Sequence, residues 1–209
     1  MPINKIILAI SILLILLLIF LMSKNDPIKI TEADNAQFEN FDIILSKGNS
    51  FHSRLINLFN YSADNYSHVG VVIKEGNKVF VLHSTPDGTK SNGIRFDSLQ
   101  TFVSLSNVNE YLILRCPDIS PASQDKLFAE LSKYKSKAYP FDYDFNNKDQ
   151  SKIYCSELIW LIFKDISPPI MDGLDLDKPI HPKSFLKLKG FKSLKLLPTN
   201  NIGIVLGKL

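Results

Sequence analysis

Ser67-His68-Val69-Gly70-Val71-Val72-Ile73, then Glu75-Gly76-Asn77-Lys78, then Val79-Phe80-Val81-Leu82-His83-Ser84: this stretch decides the fold. Two runs rich in β-branched and aromatic residues flank a Gly-Asn pair, which is the pattern of an antiparallel hairpin. With a two-residue turn at Gly76-Asn77, Glu75 faces Lys78, Gly70 faces His83 and His68 faces Thr85. His68 and His83 then lie on the same side of the sheet as diagonal neighbours, roughly 7–8 Å apart between Cα atoms. Gly70 leaves the space between them open. A three-residue turn would shift the parity and separate the two histidines.

Further along, Ile153-Tyr154-Cys155-Ser156-Glu157-Leu158-Ile159-Trp160 sets a thiol where a polar loop meets an apolar helical run. A cysteine at a helix N-terminus meets the positive end of the macrodipole and unpaired backbone N–H groups, both of which favour thiolate. Cysteine, histidine and a third polar group form the smallest constellation that supports thiol-based acyl transfer. Cys155 is therefore the candidate nucleophile, His68 the base, and His83 the group that holds the His68 tautomer. The alternatives are a buried core cysteine and satisfied strand histidines. Backbone N–H groups of Cys155 and Ser156 are candidate oxyanion donors, and Tyr154 could add a phenolic one. Asp42 competes with His83 as orienting group, or else ties down backbone. Glu157 points about 200° around the helix from Cys155 and reads as a cap or supporting group. His52 and His181 carry no comparable pattern.

The remaining segments read outward from these two. Phe41-Asp42-Ile43-Ile44-Leu45 is a short buried strand, residues 50–60 an amphipathic helix, and residues 111–116 a further strand. Residues 120–137 form a helix capped by Ser120, with Pro121 in its first turn and Leu127, Phe128 and Leu131 on one face. Tyr139-Pro140-Phe141-Asp142-Tyr143-Asp144-Phe145 is aromatic and acidic, suited to the wall of a substrate groove. The Cys155 helix runs to Ile166, stops before Pro168-Pro169, and is apolar nearly all round, hence central and buried. Residues 194–197 and 202–206 are closing strands.

A net charge of +3 over 209 residues, with lysines in singles apart from a mild cluster at Lys183, Lys187, Lys189, Lys192 and Lys195, argues against a nucleic-acid partner. Residues 6–22 form an apolar run broken only by Ser11 and preceded by Lys5, near the length that crosses a bilayer. The expectation is a transmembrane signal anchor over residues 1–23, a linker over 24–36 and one domain over 37–209. Charge flanking the run places that domain outside the cytoplasm, periplasmic in a Gram-negative cell; a cleaved signal peptide and secretion is the alternative. Cys116 and Cys155 are the two cysteines, and in an exported protein a disulfide between them is an alternative to a reactive thiol. Ligands at metal-site spacings are missing, so neither metal nor other cofactor is expected.

The Phe41–Leu45, Ser67–Val72 and Tyr154–Ile159 segments, with the later His181-Pro182-Lys183-Ser184-Phe185-Leu186, resemble the YiiX/YebB-like cysteine hydrolases. These are circularly permuted relatives of the NlpC-type papain-like peptidases, related also to the lecithin:retinol acyltransferase group. The resemblance implies an α+β, permuted papain-like fold with a helix bearing the nucleophilic Cys155 packed on an antiparallel sheet that supplies His68. In many such relatives the third position is acidic; here it falls on His83, as in the acyltransferase branch. Their opening motif usually begins with glycine, where this chain has Phe41. The implied activity is hydrolysis of an amide or ester, in a cell-wall peptide or a lipid acyl substrate, through a Cys155 acyl-enzyme. Acyl transfer and a non-catalytic ligand-binding domain are the alternatives.

Overall fold

In the computed structural model the described residues are 11–14, 30–47, 66–86, 92–105, 111–116, 119–198 and 204–208. The hairpin forms in the register its sequence demands. Strand β2 (His68–Glu75) pairs antiparallel with β3 (Lys78–Thr85), Glu75 opposite Lys78 and Gly70 opposite His83. Gly76 takes φ +61°, the left-handed value that the tight turn requires and glycine tolerates. Around this hairpin stand β1 (Ile43–Ser46), β4 (Gly93–Ser98), β5 (Tyr111–Arg115), β6 (Lys192–Pro198) and β7 (Ile204–Lys208). They make one antiparallel sheet of order β4-β3-β2-β1-β5-β6-β7.

Alternation along the strands divides the buried side chains between the two faces. Ile43, Leu45, Val69, Val71, Leu82, Leu112 and Leu114 meet the helices α3 (Pro121–Ser136) and α4 (Cys155–Phe163). Ile44, Val72, Val81 and Ile113 meet Phe38, at the end of α1 (Glu32–Gln37), and Leu99, Phe102 and Val103 of α2 (Leu99–Ser104). In α4 every residue but Trp160 is buried. Each large apolar side chain withdrawn from water contributes about 1.5–3 kcal/mol, so packing rather than capping holds this helix in place.

Several boundaries differ from those expected. Helix α4 ends at Phe163, not Ile166, with the Lys164 N–H donating to the Trp160 carbonyl at 2.9 Å. Ser167, before Pro168, is disfavoured in helical conformation, and the chain turns out ahead of it. In α3, Leu127, Leu131 and Tyr134 form the buried face, and Phe128 is exposed. Within the stretch read as linker, α1 forms behind a capping box in which Thr31 Oγ1 accepts from the Asp34 N–H and Asp34 accepts from the Thr31 N–H. Strand β4 and helix α2 were not expected; β4 pairs residue by residue with β3 and forms one edge of the sheet.

Phe41 has φ 70°, a conformation that glycine adopts freely and a bulky residue rarely does. This is the position where the resembling family begins its motif with glycine. Phe41 is held there by burial, by its N–H donating to the Val72 carbonyl at 2.9 Å, and by edge contact with Phe128. The expected helix at 50–60 and His52 lie outside the described residues. So does most of the apolar run 6–22, of which residues 11–14 form a helical turn. Among the described residues no helix is long and apolar enough to cross a membrane.

Candidate active site

His68, Gly70 and Val72 alternate to one face of β2, and Val81 and His83 to the same face of β3. The two imidazoles meet there, with His68 Nε2 2.9 Å from His83 Nδ1. Gly70 makes the meeting possible: a Cβ at that position would run into Val81 Cγ1 and come within 3.1 Å of His83 Cβ. Phe102 of α2 closes the pair from outside, its ring stacked on His68 at 5.4 Å and edge-on to His83 at 5.1 Å. His83 is fully buried.

Cys155, the first residue of α4, packs in the core on the opposite face of the sheet from this pair. It reaches the same neighbourhood at the start of β2, where the Val69 backbone N–H, with those of Cys155 and Ser156, acts on its sulfur. The segment leading into α4 is pinned to β3 by Ser84 Oγ, which donates to the Ile153 carbonyl at 2.6 Å, and the Ile153 N–H donates to the Pro140 carbonyl. In this geometry the side-chain contact of the sulfur is Ser156 Oγ at 3.9 Å, and the hydrogen bond of His68 goes to His83. Neither Cys116 nor Cys155 is in a disulfide, which removes that alternative.

Two sequence candidates stand elsewhere. The Tyr154 hydroxyl donates to Asn147 Oδ1 and accepts from the Ile180 N–H at 2.8 Å. Because Asn147 also donates to the Leu176 and Lys178 carbonyls, Tyr154 braces two loops and is not turned toward the sulfur. Asp42 is no orienting group for the histidines. Its carboxylate takes Nε and Nη2 of Arg115 at 2.8 and 2.7 Å and the Glu39 N–H at 2.9 Å, tying β1 to β5. His181 caps the 3-10 turn Pro182–Lys187, its Nδ1 accepting from the Lys183 N–H.

A family model described as permuted papain-like amidase enzyme, YaeF/YiiX, C92 family, matches residues 37–201. The chain belongs to this family. The fold of the C92 member agrees with a solved structure, that of the metalloprotein YiiX from Escherichia coli O157:H7. The two share 20% identity over 75% of this chain and 96% of that one, with a TM-score of 0.60, a likeness of fold. No curated protein sequence matches the chain. Although the name of that bacterial protein speaks of a metal, among the described residues here no group of three His, Cys, Asp or Glu is placed to hold one.

Electrostatics in this C92 chain departs from the expected thiolate. A helix end favours an anion by about 0.3–1 kcal/mol, and the three N–H groups act the same way, but desolvation is larger and pushes the Cys155 pKa up to about 11. Burial also lowers the His68 pKa well below the ordinary histidine value, and His83 beside it disfavours placing a second positive charge on the pair. The resting site therefore holds a neutral thiol and neutral imidazoles. Sequence reading passed over Asp97 and Arg95 of β4. His83 Nε2 lies 3.1 Å from Asp97 Oδ2, and Arg95 Nη2 lies 2.9 Å from the same oxygen. An alternating Gly93-Ile94-Arg95-Phe96-Asp97-Ser98 following the hairpin was the signal available for a third strand.

Proposed function

We propose that this C92 amidase is a cysteine hydrolase working through a Cys155 acyl-enzyme, with His68 as its base. The observation that carries the reading is the His68–His83 pair at the start of β2, whose next residue, Val69, turns its N–H on the Cys155 sulfur. His68 Nε2 is engaged by His83, which leaves Nδ1 for the thiol proton. As substrate enters, Nδ1 takes that proton while sulfur bonds to the carbonyl carbon of an amide or ester, so the charged pair exists only during reaction. Negative charge on the carbonyl oxygen is met by backbone N–H groups at the start of α4. When the tetrahedral intermediate collapses, the carbon–nitrogen or carbon–oxygen bond breaks, and the leaving group takes the proton from His68. Water, deprotonated by His68, then attacks the thioester and releases the acid and the free thiol.

Peptide amides of the cell wall and acyl groups of lipids are the substrate classes this reading takes, with residues 6–22 as the membrane tether that keeps the domain near them outside the cytoplasm. Acyl transfer is a second reading, favoured by histidine rather than an acid at position 83. Full-length protein mixed with ester or amide substrates and quenched in acid should carry an acyl mass on the Cys155 peptide. Cys155→Ala and His68→Ala should lack it, and an added amine that outcompetes water would select transfer. A protein that hydrolyses these substrates equally well with Cys155→Ala would end the reading.

A further inference from the structure

The polar chain of the site does not end at its third member. Opposite His83 in the β3–β4 register stands Arg95, and Asp97 faces Val81, so Asp97 is a diagonal neighbour of His83 on the same face. Around the Asp97 carboxylate are His83 from β3 and Arg95 from its own strand, with His68 of β2 behind His83. His83 is fully buried and Asp97 half-buried, its side chain 15% exposed.

Tautomers follow from these contacts. An ionised carboxylate only accepts, so the His83 nitrogen facing Asp97 must carry its proton. A neutral His83 then offers a lone pair at Nδ1, and the His68 nitrogen facing it, Nε2, must be the donor. His68 Nδ1 is in consequence unprotonated. We infer that Asp97 is a positioning residue of this enzyme, which through His83 fixes His68 in the tautomer whose Nδ1 can receive the Cys155 proton. The inference rests on the reading of Cys155 and His68 given above. Arg95 restrains the oxygen that His83 uses, because both groups donate to Oδ2. Without Asp97 each ring is free to exchange tautomers, and only the fraction with a bare His68 Nδ1 is competent.

Conservative and non-conservative changes should separate. In Asp97→Asn, two donors face one position, so the amide oxygen rather than the NH2 group takes it, and the tautomers persist. Asp97→Ala removes the acceptor. The chain has four histidines, few enough for nitrogen-15 NMR of the full-length, histidine-labelled protein to assign the tautomers of His68 and His83. Acylation of Cys155 by p-nitrophenyl acetate is followed alongside. The expected result is protonated Nε2 on both rings in the parent protein and Asp97→Asn. In Asp97→Ala, the tautomers should mix and acylation should fall with the fraction of His68 that keeps a bare Nδ1, about twofold for an even mixture. Asp97→Ser, too short to reach His83, supplies the same comparison should Asp97→Ala not fold. Unchanged tautomers on removal of the carboxylate overturn the inference. So do shifted tautomers with unchanged acylation, while acylation still depends on Cys155 and His68. Acylation indifferent to Cys155→Ala and His68→Ala overturns instead the functional reading on which the inference stands.

Discussion

His68 Nε2 and His83 Nδ1 lie 2.9 Å apart across two neighbouring strands. One ring donates and the other accepts, so a side chain that merely accepts at position 83 can replace part of the function. His83→Gln should retain more p-nitrophenyl acetate acylation than His83→Ala, which we expect to lose about 10–100-fold. Equal loss in both variants would mean that an acceptor at position 83 is not what His68 requires.

Cys155 alkylation should be slow at neutral pH and accelerate as pH rises toward about 11, well above the free-thiol value of about 8.5. Iodoacetamide rates on the Cys155 peptide, resolved by mass spectrometry from Cys116, measure this directly. Rapid labelling at pH 7 would show a thiolate already present in the resting protein. The same raised pKa is a stability statement: the unfolded thiol ionises first, so its contribution falls as pH rises from about 8.5 through the folded value.

Glu157 is fully buried with neither carboxylate oxygen hydrogen-bonded among the described residues, and burial raises its pKa to about 8. The folded protein thus holds a proton that the unfolded chain releases above about pH 4.3, and stability falls as pH climbs between those values. Glu157→Gln should stabilise the fold more at pH 8 than at pH 5, by about 1–3 kcal/mol at the higher pH. Thermal unfolding of both proteins at the two pH values decides it, and equal effects would place the ionised form in the fold.

Arg115 reaches Asp42 through two nitrogens and also donates to the Gln37 carbonyl at 2.8 Å. Desolvation already raises the Asp42 pKa despite this partner. Removing the guanidinium in Arg115→Ala should cost about 3 kcal/mol in denaturant unfolding. Adding Asp42→Asn should restore part of it, which a loss due only to missing side-chain packing would not show.

Gly70→Ala puts a methyl group between the strands against Val81 and His83. The expected outcome is a folded protein with the His68–His83 bond lost, read as a fall in acylation larger than the fall in melting temperature. An active Gly70→Ala enzyme would show that the histidines work without touching.

Much of this site could be read from the hairpin alone, because the two-residue turn at Gly76-Asn77 fixed parity and parity fixed which side chains meet. Cys155 at the head of a buried helix was equally legible, since α4 is apolar on nearly every side. Its protonation state was not, because dipole and cap are local while desolvation depends on everything packed around the thiol. Tyr154 misled for a related reason: its neighbour in sequence is the sulfur, but its hydroxyl is claimed by Asn147 and Ile180, which come from loops on either side of the helix. Asp97 escaped because β4 carries no turn signal as plain as Gly-Asn, and without that strand's register its side chain had no place. Phe41 was visible as an oddity, and the φ of 70° gives the reason.

The bonds that pair the imidazoles and join them to Asp97 span 15 and 14 residues of chain, whereas the bond that pins the cysteine segment to β3 spans 69. Short loops close at smaller entropic cost than long ones, so the three-stranded meander can order itself while the cysteine helix is still far away. During synthesis the meander also emerges first. A partly made or partly unfolded chain then carries the paired imidazoles before Cys155 is in place, and β6 and β7, later still in the chain, close the other end of the sheet.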